Sequence, residues 1–138
     1  MLGLFGCSSG KPIGVDDQGR LTPCPSSPNC VTSDQADAGH SIEPLRFEGD
    51  AAPVWAALGE ILAAMPRTEI ITTEERYLHA EATSRLLRFV DDVEFHLRPD
   101  DGMIAVRSAS RIGRSDFGVN AERIEMIRTL LKEKNLLI

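Results

Sequence analysis

The chain has 138 residues, 42% hydrophobic and 26% charged, which suits one globular core and gives no reason to expect a second domain. Its 21 acidic and 15 basic side chains leave a net charge of −6; a phosphate backbone would be repelled unless the bases were gathered on one face, so nucleic acid is not the expected partner. No run approaches the 18 or so apolar residues of a membrane-spanning helix, since Ala51–Met65 is too short and carries Glu60.

In chain order, residues 1–20 read as a leader and 21–138 as a single domain. All three cysteines lie in the first 30 residues, ahead of the periodic sequence. Leu4-Phe5-Gly6-Cys7-Ser8-Ser9 resembles the end of a bacterial lipoprotein signal, in which cleavage before the cysteine frees its thiol to take a lipid. Phe5 is bulkier than the residue usual there. Only six residues precede Cys7, so the charged and apolar parts of such a signal are expected upstream of Met1.

Pro23-Cys24-Pro25-Ser26-Ser27-Pro28-Asn29-Cys30 is the most distinctive string. Prolines fix φ near −65° around a short gap between two thiols. A disulfide there would remove about 2–2.5 kcal/mol of unfolded-state entropy. Half a metal site and two free thiols are the competing readings, but the second ligand pair of a zinc site is missing. With Cys24 and Cys30 paired, Cys7 is left over for lipid. No metal and no cofactor is expected.

Residues 8–40 are rich in Gly, Pro, Ser, Asp and Asn without apolar period and read as linker and loop. A weak strand is expected over 41–47. Asp50 is a natural N-cap, with Pro53 tolerated in the first turn, for a helix whose apolar stripe is Val54, Leu58, Ile61, Leu62 and Met65 and which Pro66 ends. Four strands follow, about Thr68–Thr73, Arg76–Arg85, Leu87–Leu97 and Met103–Ile112, with turns at Glu74-Glu75 and Pro99-Asp100-Asp101-Gly102. A closing helix is expected from an N-cap at Asn120, with Ile124, Ile127, Leu130 and Leu131 on one face. The economical arrangement is an α+β two-layer sandwich, an antiparallel meander of four or five strands with two helices on one face.

Four strings resemble the domain of unknown function (DUF) family 1499: Pro23 to Val31, Ala80 to Arg85, Arg88 to Phe95, and Arg107 to Asp116. The resemblance runs in order from about Leu21 to Leu131. It implies a small domain of bacterial and plastid proteins, often exported or membrane-associated, with no agreed activity or catalytic residues.

Chemistry is sought where the pattern breaks. On the third of the four strands Phe89, Val93, Phe95 and Leu97 alternate with Asp92, Glu94, His96 and Arg98, which puts Asp91 on the apolar side. There its carboxylate must be paired with an arginine, touch a ligand, or rise in pKa. Arg107 and Arg111 share the polar side of the last strand, within reach of acids across the pairing, as a solvated ladder or as a site. Arg107, Arg111, Arg114 and Ser115 form the candidate anion site, just before the last helix's N-terminus. His40, His79 and His96 are scattered, and there is no Gly-x-Ser-x-Gly elbow.

These features give a first expectation: a non-catalytic domain on the periplasmic side of the bacterial envelope. It would be a monomer held to the membrane only by lipid on Cys7, and would bind a protein partner or an anionic small molecule. The alternative is a small hydrolase or isomerase acting on an acidic substrate through Asp91/His79 and Arg107/Arg111.

Overall fold

The computed structural model describes residues 13–35, 37–112 and 118–138. Its elements are β1 (Cys30–Thr32), β2 (Leu45–Arg46), α1 (Ala51–Ala64), β3 (Thr68–Thr73), β4 (Tyr77–Thr83), β5 (Val90–Arg98), β6 (Met103–Ser110) and α2 (Val119–Glu133). The sheet is antiparallel in the order β1-β6-β5-β4-β3, with β2 also pairing β6. The four long strands form the expected meander. What the sequence pattern did not mark is β1, three residues inside the stretch read as loop. Its pairing comes from β6 rather than from any periodicity of its own.

α1 begins where the Asp50 carboxylate accepts the Ala52 N–H at 3.1 Å, satisfying one of the first turn's free donors. It ends because Met65 precedes Pro66 and is driven to extended backbone, φ −73° and ψ 137°. Val54, Leu58, Ile61 and Leu62 on α1 and Ile124, Ile127 and Leu131 on α2 pack in one cluster with Leu78, Ala80, Val93, Phe95, Leu97, Ile104 and Val106 from the sheet. Both helices therefore cover one face, in an α+β sandwich. Gly102 closes the β5–β6 turn at φ 62°. An added Cβ there would come within 3.1 Å of the Phe47 carbonyl oxygen, so both backbone freedom and space call for glycine.

Asn120 is not an N-cap. Gly118, at φ 82°, holds that position. Asn120 is fully buried, its amide donating to the Asn29 carbonyl and the Ser110 hydroxyl and accepting from Ser108 at 2.6 Å. A side chain claimed by the sheet is not available to cap its own helix.

The sheet's second face is covered in its turn by residues 14–24. The Gly14 N–H donates to Glu94 at 2.7 Å, Arg98 donates to the Gly19 carbonyl at 2.9 Å, and Arg107 to the Pro23 carbonyl at 3.4 Å. This strap is pinned at its far side by the Leu21 and Cys24 amides, which donate to Asp34 and Gln35, and by the Cys24–Cys30 disulfide, which ties it to β1. The leader is thus part of the fold from Gly14 onward.

Candidate functional site

Alternation along β4, β5 and β6 brings Tyr77, His79 and Glu81, then Asp92, Glu94, His96 and Arg98, then Arg107 and Arg111 to the face under the strap. Glu94 lies directly opposite Arg107. Its carboxylate accepts from Arg107 at 3.2 Å, the Tyr77 hydroxyl at 2.7 Å and the Gly14 amide. Glu94 is 0% and Arg107 2% exposed, so this is a buried ion pair whose desolvation is offset only by its own hydrogen bonds. Burial, then the Glu94 charge, pushes the Tyr77 hydroxyl well above the ordinary tyrosine range and keeps it a donor. Arg107 Nε has no partner among the described residues.

The second cluster lies nearer the end of the sheet. His79 Nε2 meets Asp92 Oδ1 at 2.8 Å. Arg111 donates from Nε and Nη2 to the two Asp92 oxygens, at 2.9 Å each, and from Nη2 to Glu81 at 2.7 Å. Burial raises the Asp92 carboxyl, but hydrogen bonds from His79 and Arg111 with the Arg111 charge outweigh it and hold the group at about 2. Arg111 is pushed above the ordinary arginine range, first by its hydrogen bond to Asp92. Ligand atoms of His79, Glu81 and Asp92 lie within 4.8 Å of one another. A cation could be reached from all three, but the Arg111 guanidinium already bridges the two carboxylates, and a cation would have to displace it.

Asp91 is on the helix side, as the pattern required. It accepts from Arg123 of α2 at 2.9 Å, and Arg123 also donates to Ser108 and Asn120. A third pair fixes the strap, where Asp34 accepts from both terminal nitrogens of Arg98 at 2.9 and 2.6 Å. Burial raises Asp34, and the Arg98 and Leu21 hydrogen bonds reverse this and hold it below the ordinary carboxylate range.

Several expectations change on this geometry. Asp91 and His79 lie on opposite faces of the sheet, so the pair expected of an enzyme is not formed; His79 is joined by Asp92 instead. Arg107 and Arg111 do share a face, and they hold Glu94, Asp92 and Glu81 rather than standing free. The ladder around Arg107 is buried, not solvated, because the strap covers it. Arg114, Ser115 and Cys7 lie outside the described residues. Cys24 and Cys30 are bonded, with Cα atoms 5.7 Å apart. His40 belongs to no site: it spans Asp37 and the Ser27 carbonyl inside the cysteine loop, at 2.7 and 2.8 Å.

Asp92 and Glu94 lie on the polar face that alternation predicts, but no local pattern assigns them a role. The available signal was four ionisable residues on one side of a strand followed by two arginines on the same side of the next, which is more charge than a water-facing surface requires.

Neither a curated protein nor a solved structure matches this chain significantly. A family model described as protein of unknown function (DUF1499) matches residues 20–131. That span takes in the disulfide loop, the whole long-strand meander and most of α2, and the chain belongs to the DUF1499 family.

Proposed function

We propose that this is a non-catalytic domain of the bacterial envelope, anchored by lipid on Cys7, that binds a protein partner or an anionic small molecule. The observation that carries this reading is the strap. The fold closes its charged face with an N-terminal segment held by a disulfide, an arrangement suited to an oxidising compartment. Glu94, Arg107, Tyr77, His79, Asp92, Arg111 and Glu81 each bond to other protein groups, so their charge and hydrogen-bonding capacity are turned to holding the sheet. The leftover third thiol and the Gly6-Cys7-Ser8-Ser9 string support the anchor. Protein expressed behind an export signal that ends at Gly6 should fractionate with membranes and carry a lipid mass on Cys7, and Cys7→Ala should release it. A soluble, unmodified wild type would refute the anchor.

The alternative is a small hydrolase or isomerase acting on an acidic substrate. One observation favours it: Arg111, which bonds to Asp92 of the buried His79–Asp92 pair, and Glu81, which bonds to Arg111, are each about one-third exposed, so the cluster reaches solvent. Asp91 drops out of this reading, and Asp92 takes its place. Turnover of acidic esters or sugars that is abolished by His79→Gln in a folded variant would establish it.

A further inference from the structure

The loop between β4 and β5, Ser84 to Phe89, breaks the usual chemistry of a hairpin. Apart from Ser84 it contains none of the Gly, Pro, Asn, Asp and Ser that turns ordinarily use. Its tip is Leu86 and Leu87, 85% and 68% exposed, more than any other large apolar side chain among the described residues. The loop is nonetheless built, since the Ser84 amide donates to the Phe89 carbonyl and the Phe89 amide to the Ser84 hydroxyl, both at 2.8 Å. Two leucines are therefore held out in water on a closed hairpin.

Charge surrounds them. Arg85 and Arg88 flank the leucines, and Arg67 stands beside them, its carbonyl accepting the Thr83 amide at the end of β4. Arg46, Arg98, Arg107, Arg111, Arg123 and Arg128 all hold carboxylates. Arg67, Arg85 and Arg88 hold none among the described residues, and of the other described arginines only Arg20 and Arg76, away from the tip, share this. Arg85 lines a depression on the helix side, Arg88 one on the strap side, and Arg67 both; of the carboxylates in these depressions Asp91 is held by Arg123 and Glu81 by Arg111, while Glu69 and Glu122 stand with them, so arginines unpaired among the described residues flank the tip on the two faces of the sheet. Arg67 and Arg88 also have left-handed backbone, φ 53° and 59°, where glycine or asparagine would cost less. Local conformational preference has given way to arginine at both positions.

We infer that this hairpin tip is a membrane-contact site, in which Leu86 and Leu87 enter the headgroup region of a bilayer while Arg67, Arg85 and Arg88 meet anionic lipid phosphates. Apolar side chains inserted between cations that stay at phosphate depth are the combination an anionic interface selects. The contact differs from the lipid anchor and does not depend on it. Gly14 enters the fold beside Tyr77 and His96, at the other end of the strands, and β5 alone spans about 30 Å.

The test uses the full chain carrying Cys7→Ser, so that no lipid anchor contributes, with vesicles of phosphatidylcholine alone or mixed with phosphatidylglycerol. Binding is expected only to the mixed vesicles and should weaken as salt is raised. Leu86→Ser with Leu87→Ser should reduce it at least about tenfold, and Arg85→Gln or Arg88→Gln roughly fivefold each, with the unfolding midpoint unchanged because these side chains are in solvent. Glycerol phosphate in solution should not compete; if it does, and the leucine variants bind normally, the arginines hold free phosphate and the membrane site is wrong. Failure to bind mixed vesicles, or equal binding to phosphatidylcholine alone, also overturns it. Each result leaves the Cys7 anchor to be judged separately by lipid mass.

Discussion

The two faces of this sheet are closed by different physics. Against the helices, Leu58, Phe95, Ile104 and Ile127 meet in a dry apolar layer, where attraction is non-directional and shape sets the details. Under the strap, Glu94, Arg107 and Tyr77 meet through aimed hydrogen bonds, where one missing partner leaves a charge in a place water does not reach. The first face tolerates approximate substitution. The second works only as a complete set, and only while the strap is down.

The largest expected effect breaks that set. Glu94→Ala leaves Arg107 buried without its counter-ion and should cost about 3–5 kcal/mol in chemical unfolding. On the opposite face Leu58→Ala should cost a comparable 2–5 kcal/mol or so, but there Leu58→Met should recover most of it, while Glu94→Gln, similar in shape, should recover little. Equal recovery on both faces would erase the distinction.

Opening the strap comes next. Replacing Cys24 and Cys30 with serine should lower stability by about 2 kcal/mol, with midpoints compared under non-reducing conditions. No change would mean that hydrogen bonds alone hold the strap.

Acid sharpens the comparison further, since the strongly depressed carboxyl, Asp92, lies on the charged face. Asp92 sits at about 2 in the fold against an ordinary 3.8. A depressed carboxyl contributes stability that is complete above the unfolded value and lost as pH falls through the folded one. Wild-type stability should therefore decline between about pH 4 and pH 2, and Asp92→Asn should flatten that part of the profile. A variant with the same acid slope would place the loss elsewhere.

The smallest effect is expected at His40. Its hydrogen bond to the Ser27 carbonyl, then the Asp37 carboxylate, raises it above the ordinary 6.5. A raised histidine contributes fully below the unfolded value and loses its contribution as pH climbs through the folded one. His40→Gln should remove a shallow decline of stability from about pH 6.5 upward, seen by thermal unfolding across that range.

The helix-side face was legible because periodicity reports it directly: α1 could be read from Asp50 to Pro66, and the four long strands from alternation and turn residues. Asp91 was legible for the same reason, as an acid in an apolar column, although its partner Arg123 lies 32 residues on and no local pattern links them. The strap was not. Val15 and Leu21 pair across a short turn, and the segment's bonds run to Glu94, Arg98 and Arg107, contacts set by tertiary structure rather than by any repeat in residues 13–24. The same gap explains why alternation leaves the polar strand face open as a solvated ladder or a site, and why β1, whose partners are β6 and Ser41, has no local signal of its own. The β4–β5 tip was hidden differently: without turn residues, the strands read as running almost into each other, from Arg85 to Leu87.

The central claim is that the N-terminal strap closes the charged face through Glu94, and amide hydrogen exchange tests it most directly. The Gly14 N–H should exchange slowly in the wild type, because it donates to Glu94. In Glu94→Gln it should exchange far faster while the Phe95 and Val106 amides within the sheet stay protected. Gly14 exchanging as an unprotected amide in the wild type, or protected equally in both proteins, would contradict the account.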